Sequence, residues 1–120
     1  MGADIHVYCE YRHPDSNWDD LFNDLYLRRK YAMFAALADV RNNGTIEVKI
    51  PPRGLPTDLA WKARDAAQGP DWHSHSYMTL AEWRSIVEPT NDPVIIGMNK
   101  GMEVVEAAGF QTRIVFWFDN

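Results

Sequence analysis

Two histidines one residue apart are the side chains in this sequence best suited to chemistry. They are His73 and His75, in the stretch from Trp72 to Ser76. In an extended segment, residues i and i+2 project to the same side, with Cβ atoms roughly 7 Å apart. Two imidazoles at this spacing can share one metal ion or flank one phosphate. The same pattern is also typical of an exposed loop or a stacked histidine pair, so both interpretations stay open.

A second polar pair with the same spacing begins the chain. Asp4 and His6 alternate with apolar residues, and Glu10 continues their face. The simple interpretation is the solvated outer face of an edge strand. The stronger hypothesis is that this face lines a cleft to which His73 or His75 adds ligands. One aspartate and three histidines would suit zinc or another divalent metal, and such an ion can turn a bound water into a nucleophile.

Two arginines are candidates for binding an anion. Arg53 lies in a loop stiffened by prolines, and a guanidinium on a pre-ordered loop suits a phosphate or a carboxylate. A salt bridge to Asp58 is the alternative for Arg53. Arg41 lies at the end of a predicted helix, where bonds to the last carbonyl groups or to an acid are the alternative.

These patterns together predict a polar site with three kinds of residue. The catalytic candidates are His73, His75 and Glu10, with Asp119 as an alternative base or orienting group. The predicted metal ligands are Asp4, His6, His73 and His75. The predicted ligand-binding residues, which supply cations, a hydroxyl and aromatic rings, are Arg41, Arg53, Tyr8, Trp72, Tyr77 and Ser76.

Composition narrows the class of protein. With 120 residues, the chain is predicted to form a single domain spanning residues 1–120. Its net charge of −5 argues against general nucleic-acid binding, which needs a basic face. Cys9 is the one cysteine, and we expect it in the core. Because the sequence has neither an apolar run of membrane-spanning length nor a signal peptide, we expect a cytoplasmic protein with no membrane partner.

Periodicity predicts the elements of the first half of the chain. Alternation of apolar and polar residues predicts strands over residues 3–12 and 45–50. A hairpin partner is expected around 18–22, with a helix starting at Asn17 as the alternative. Apolar residues three and four apart predict a helix over 28–40, and the proline-rich segment after residue 50 is predicted to be a loop.

Capping residues predict the helices of the second half. Residue 57 or 58 can begin a short helix that reaches about residue 67. Thr79 and Glu82 form a capping box for a helix that reaches about residue 88. Asp92, followed by proline, begins a further helix. The side chains expected to face inward from that last helix are Val94, Met98, Met102 and Val105.

These elements predict an α+β fold. The last strand is predicted over residues 111–119, and its continuous apolar run at 114–118 indicates a central position in the sheet. We expect a small, mostly antiparallel sheet that contains the N- and C-terminal strands and packs against about four helices. If the first and last strands pair, Asp119 faces the same cleft as Asp4.

Several segments, distributed from one end of the chain to the other, resemble a group of small proteins of bacteriophages and prophages. They are MGADIH at 1–6, FAALADVRN at 34–42, PRGLP at 52–56, HSHSY at 73–77 followed by Thr79-Leu80, and RIVFWFDN at 113–120. The chain departs from the group at Ala3, where many relatives are expected to have cysteine, which puts a role for that position in doubt. The resemblance carries over no activity, but it implies an accessory protein that acts on the host.

In that context, blocking an antiviral defence that signals through cyclic or ADP-ribose-derived nucleotides is a common role. A small protein can hydrolyse such a signal or sequester it, and both need cationic or metal groups for phosphate and aromatic rings for the base. The leading hypothesis is metal- or histidine-dependent hydrolysis of a phosphate-containing small molecule such as a nucleotide. The alternatives are a non-catalytic nucleotide sponge, with a homo-oligomer expected, and a protein that binds and blocks a host protein.

Overall fold

An antiparallel sheet of four strands organises the chain. The computed structural model describes residues 2–87 and 90–119. The strands in this part of the chain are β1 (Asp4–Arg12), β2 (Asp19–Leu27), β3 (Trp72–Met78) and β4 (Gln111–Asp119), in the spatial order β2-β1-β4-β3. The helices are α1 (Tyr31–Ala38), α2 (Trp61–Ala66), α3 (Leu80–Val87) and α4 (Pro93–Ala107). The predicted α+β fold, with both terminal strands in one sheet, is confirmed.

Pairing of the first and last strands follows from their alternating side chains. Asp4 lies opposite Asp119 and Glu10 opposite Arg113, so β1 and β4 pair over their whole length. Residues directly opposite each other in an antiparallel pair share a face of the sheet. The polar residues of β1 therefore lie on the same face as Arg113 and Asp119. The predicted proximity of Asp4 and Asp119 is confirmed.

Both faces of the sheet are covered, and each has its own apolar cluster. The main core lies between the sheet and α1, α3 and α4, and it contains Cys9 and Phe116. The second core lies under α2 and contains Val115 and Trp117. Burial explains the apolar run from residue 114 to 118 of β4, since this strand contributes to both cores. Burial also raises the pKa of the Cys9 thiol well above its ordinary value, as expected for a core cysteine.

The first half differs from the prediction in the lengths of its elements. The hairpin partner β2 is a strand, as predicted, but it continues to Leu27, and the helical alternative at Asn17 is wrong. The observed helix α1 is shorter than the predicted helix over 28–40, because Asp39 adopts a left-handed conformation with φ of 62°. Its N–H still donates to the carbonyl oxygen of Ala35. Arg41 therefore lies beyond the helix, in the following loop.

The predicted strand over residues 45–50 is wrong. Exposure alternates along this segment, but it joins none of the described strand ladders. The Asn42 side chain explains the difference, because it accepts from the backbone N–H of Gly44 and Ile46 and donates to the carbonyl oxygen of Ile46. These local bonds curl the start of the segment and compete with strand pairing.

Two of the three caps predicted for the second half form, and the cap predicted at residue 57 or 58 does not. The N–H of Glu82 donates to Thr79 Oγ1 at 3.1 Å and the N–H of Thr79 donates to Glu82 Oε1 at 2.9 Å. Asp92 accepts from the first N–H groups of α4. The helix α3 is described as far as Val87, and the predicted end at residue 88 lies outside the described residues. The helix α2 begins later than predicted, at Trp61.

The buried face of α4 is rotated from the predicted one by about one residue at its N-terminus. Ile95 is fully buried, whereas Val94 is 43% exposed. Met98 and Met102 face the core as predicted. In the described part of the chain, α4 is the longest helix with 15 residues, and none of the helices is long and apolar enough to cross a bilayer.

The rotation of α4 yields a matched pair of substitutions. We expect Ile95→Ala to lower the free energy of unfolding by about 2–5 kcal/mol, because it leaves a cavity in the main core. Val94→Ala should change it by no more than about 0.5 kcal/mol, since that side chain is largely solvated. Urea unfolding followed by circular dichroism measures both. A larger loss for Val94→Ala would mean that α4 presents the face predicted from the sequence.

Candidate functional site

A bulge in β3 separates the two closely spaced histidines. Ser74 has a positive φ of 58°, and the register of β3 against β4 shifts between His73 and Ser76. An extra residue in a strand reverses the side on which the following side chains project. The expectation that His73 and His75 project to the same side is therefore wrong.

Each of these histidines contacts its own neighbours. His73 lies opposite Phe118, on the side of the main core, with Nδ1 3.0 Å from Ser74 Oγ. His75 stacks on Trp117 in the second core, with ring centroids 5.8 Å apart, and its Nε2 lies 3.3 Å from the carbonyl oxygen of Ala67. The two imidazoles do not face a common cavity.

His6 is held between two carboxylates. Its Nε2 lies 2.7 Å from Asp119 Oδ2, and its Nδ1 lies 3.8 Å from Asp24 Oδ1. Trp72 covers one side, with its ring centroid 4.7 Å from that of His6. Asp24 reaches this position from a bulge in β2, where its backbone has a φ of 49°. An imidazole with one nitrogen held by a carboxylate is suited to accept or donate a proton at the other.

The four predicted metal ligands do not converge. Asp4 binds Arg29 at 2.9 and 3.2 Å, and hydrogen bonding by that guanidinium lowers the pKa of Asp4. His6 faces Asp119, while His73 lies on the opposite side of the sheet. In residues 2–87 and 90–119, no group of three or more His, Cys, Asp or Glu side chains is arranged to hold a metal ion.

Glu10 forms the most buried ion pair of the described residues. Its side chain is fully buried, and Arg113 Nε donates to Glu10 Oε1 at 2.7 Å. The N–H of Ala60 donates to the other oxygen at 2.9 Å. Burial raises the pKa of Glu10, and the Arg113 charge opposes that rise. Because both oxygens are bonded inside the protein, the geometry assigns Glu10 to structure and gives no support to its predicted catalytic role.

Arg113 extends this pair into a network that reaches the surface. Its terminal nitrogens donate to a carboxylate oxygen of Asp58 at 2.9 Å and to the Asp58 carbonyl oxygen at 3.1 Å. Its guanidinium carbon lies 4.1 Å from the ring centre of Trp18, and that of Arg12 lies 4.4 Å from the same ring. Asp58 is thus bonded to Arg113 and does not cap α2, which begins later, at Trp61.

Beside this network lies a cavity of about 460 Å³, which we name the arginine–aromatic cleft. Its walls combine three aromatic rings, two guanidiniums and several hydrogen-bonding side chains. The lining residues are Trp18, Arg53, Tyr77, Met78, Thr79, Glu106, Phe110, Gln111, Thr112 and Arg113. Arg53 and Tyr77 are the members that the sequence analysis predicted as ligand-binding residues.

Arg53 is positioned by β3 and by the cap of α3. Its backbone N–H donates to Ser76 Oγ at 3.0 Å, and its guanidinium donates to Glu82 at 2.9 and 2.5 Å and to the Tyr77 carbonyl oxygen at 3.1 Å. Glu82 therefore serves both the capping box and the cleft. The predicted alternative, a salt bridge from Arg53 to Asp58, is wrong.

The remaining predicted ligand-binding residues lie elsewhere or act indirectly. Tyr8 stacks on Trp117 at 5.2 Å in the second core, and Trp72 donates from Nε1 to the Ala66 carbonyl oxygen. Arg41 lies 5.6 Å from the ring centre of Tyr31, and neither residue lines the cleft. Ser76 is buried, and its hydroxyl oxygen accepts from the backbone N–H of Arg53. It therefore positions the loop that carries Arg53 without lining the cleft.

Sequence reasoning missed the cleft residues that come from turns and helix ends. Trp18 precedes β2, while Glu106 and Phe110 lie around the end of α4. One signal was present: Arg113 directly precedes the apolar run of β4, and a charge that continues a buried strand needs a partner. Compared with protein-family models, curated proteins and solved structures, the chain has no match.

The Arg53–Glu82 pair produces a pH dependence of stability. Hydrogen bonding from Arg53 is the main cause that lowers the pKa of Glu82 from 4.5 to about 2. The pair therefore stabilises the fold above pH 4.5, and this contribution is lost as the pH falls through about 2. After allowance for solvent screening of this partly exposed pair, we expect a contribution of about 1 kcal/mol.

Glu82→Gln tests this dependence, because glutamine still completes the capping box but does not titrate. Between pH 5 and pH 2, the wild-type free energy of unfolding should fall by about 1 kcal/mol more than that of the variant. Glu47→Gln, at an exposed glutamate in the loop after α1, is the control and should behave as wild type. Equal pH profiles for wild type and Glu82→Gln would show that the ion pair contributes nothing to stability.

Proposed function

We propose that this chain is a binding protein for a small anionic ligand with an aromatic ring, of the nucleotide class, and that the ligand occupies the arginine–aromatic cleft. One observation carries the proposal: three aromatic rings and an accessible guanidinium surround a single cavity of about 460 Å³. Ligand pockets are typically about 300–1,000 Å³, mostly apolar, with a few placed polar groups.

The rings account for the aromatic part of the ligand. Trp18, Tyr77 and Phe110 contribute rings from three different parts of the chain, and the ring of Trp18 also contacts the guanidiniums of Arg12 and Arg113. Stacking of a nucleobase on an aromatic side chain stabilises a complex by about 1–3 kcal/mol. Three rings around one cavity therefore favour a planar ligand over a flexible aliphatic one.

The two arginines have different tasks. Arg113 is 8% exposed and donates to Glu10 and Asp58, so it stabilises the wall of the cleft. Arg53 has 32% of its side chain exposed, and the hydrogen bonds described above use its two terminal nitrogens. Its Nε and its exposed edge are left to contact a phosphate, with the orientation already set by Glu82 and Tyr77.

Distance favours binding over hydrolysis. His6, the described histidine best placed for proton transfer, lies opposite Trp117 on β4. Arg113 is four residues away on the same strand, which separates the two positions by roughly 13 Å. A ligand beside Arg113 would therefore lie away from the His6 imidazole and its partner Asp119. In the bacteriophage context that the resemblance implies, such a protein would sequester a nucleotide signal of the host defence.

A panel of nucleotides tests the proposal directly. Purified protein is incubated with mononucleotides, cyclic dinucleotides and ADP-ribose, and binding is measured by calorimetry. The complex is then denatured by heat, and the released ligand is analysed by chromatography. We expect at least one nucleotide to bind and to be recovered intact. Recovery of an altered nucleotide would replace sequestration by catalysis, and binding of none would refute the proposal.

Variants locate the ligand in the cleft. Tyr77→Ala removes a stacking surface and Arg53→Gln removes the phosphate contact, so we expect each to weaken binding by about tenfold or more. Trp61→Ala, at a 60% exposed aromatic residue outside the cleft, is the matched control and should bind as wild type. Equal loss in all three variants would place the ligand elsewhere.

The His6–Asp119 pair favours a second candidate function, hydrolysis of a small phosphate-containing molecule. His6 and Asp24 line a separate cavity of about 230 Å³. Asp119 would orient the imidazole, and His6 would take a proton from an attacking water. We also propose a metal-dependent form of this reaction, in which zinc or a similar divalent ion is the cofactor.

The second candidate is tested by turnover. If it holds, the wild type cleaves a nucleotide in the panel, His6→Gln abolishes cleavage, and Asp119→Asn lowers the rate by at least about tenfold. Loss of activity in a chelator, together with about one equivalent of metal per chain, would identify the metal-dependent form. Undiminished turnover by His6→Gln would eliminate this candidate.

A further inference from the structure

One wall of the arginine–aromatic cleft carries a carboxylate that phosphate binding does not explain. Glu106 lies in the last turn of α4, and its Oε2 accepts from Thr112 Oγ1 at 2.5 Å. This bond fixes the orientation of the carboxylate. Glu106 is exposed, and its other oxygen, Oε1, faces solvent without a hydrogen bond to any residue in the described ranges 2–87 and 90–119. An acceptor is thus held in place at the edge of the cavity.

A carboxylate accepts hydrogen bonds and donates none when ionised. Among the common nucleobases, guanine presents two adjacent donors on one edge, N1–H and the 2-amino group. Hypoxanthine has the N1–H but lacks the amino group, and adenine has an acceptor at N1. An ionised carboxylate therefore attracts the guanine edge and repels the corresponding edge of adenine.

The positions of Glu106 and Arg53 leave room for both parts of a nucleotide. Glu106 enters the cleft from α4, whereas Arg53 enters from the loop that binds β3. The partner of Glu106, Thr112, lies three residues along β4 from Val115, and Val115 is opposite Tyr77. Three residues of strand span roughly 10 Å. The acceptor and the cation therefore enter the cleft from separate walls.

We infer that the arginine–aromatic cleft selects a guanine base, with the Glu106 carboxylate as the specificity-determining group and Thr112 as the residue that positions it. This inference rests on the proposed function, because it names the ligand class of the same cleft. The base is placed against Glu106 and the aromatic rings, and its phosphate is placed at Arg53.

Calorimetric titration with 5′-GMP, 5′-IMP and 5′-AMP tests the inference on the wild-type protein alone. GMP and IMP differ by the single amino group that the carboxylate would bind. We expect GMP to bind about 5- to 150-fold more tightly than IMP, the range for one well-formed bidentate contact to a base. AMP should bind no more tightly than IMP.

Two variants assign the selectivity to the carboxylate. Glu106→Gln replaces one oxygen by a donor amide, so the preference for GMP over IMP should fall to about twofold or less, with AMP affinity unchanged or improved. Glu47→Gln carries the same substitution outside the cleft and should keep the wild-type preference.

Three outcomes would overturn the inference, and they separate it from the proposed function. Equal binding of the three nucleotides would refute guanine selectivity and leave the cleft as a general nucleotide site. An unchanged preference in Glu106→Gln would show that another group reads the base. Failure of every nucleotide in the panel to bind would refute the proposed function and this inference together.

Discussion

A fully buried carboxylate on β1 is the constraint on which the polar side of this protein depends. Glu10 has no contact with water, and its charge is balanced by Arg113 across the strand pair. A buried ion that loses its partner destabilises a protein by about 3–5 kcal/mol. The pair therefore holds β1 and β4 in one register, while the bond from Ala60 to Glu10 fixes the start of α2 over the same face.

The network built on Glu10 also forms a wall of the cleft. Arg113 binds Asp58 and also contacts the ring of Trp18. Trp18, which precedes β2, therefore lies next to the start of β4. Binding sites are most precise where their side chains are supported by packed or bonded neighbours. The same principle applies to Arg53, which is oriented by Glu82, Tyr77 and Ser76. Structural ion pairs thus position the groups that remain accessible to a ligand.

The polar face of the sheet divides into two regions with different chemistry. At one end, the His6 imidazole lies between the carboxylates of Asp24 and Asp119. At the other, Arg53 and the aromatic rings surround the larger cavity. Val115 and Trp117 of the second core lie on the same face of the sheet as both regions. Ligand binding and acid–base chemistry would therefore involve different residues of this face.

Part of the candidate site could be predicted because it depends on interactions between residues close together in the sequence. Prolines around Arg53 indicated an ordered loop, and that loop does present a guanidinium to a cavity beside Tyr77. The spacing of Thr79 and Glu82 predicted a capping box, and the box forms. The second role of Glu82, as the partner of Arg53, could not be predicted because it joins an element to a loop 29 residues away.

Periodicity and capping chemistry along the chain were sufficient for the fold class, for β1 and β4, and for the start of α4, since each depends on interactions within a few residues. Whether two side chains meet across the sheet depends on strand register and bulges, which only the tertiary structure shows. A single residue in a left-handed conformation, Ser74, reversed the direction of a side chain and separated His73 from His75. Register has a period of two, so one inserted residue exchanges the faces of a strand without changing its composition. Residue spacing therefore located strands and helices, whereas the bulge and the buried ion pair selected the side chains that share a cavity.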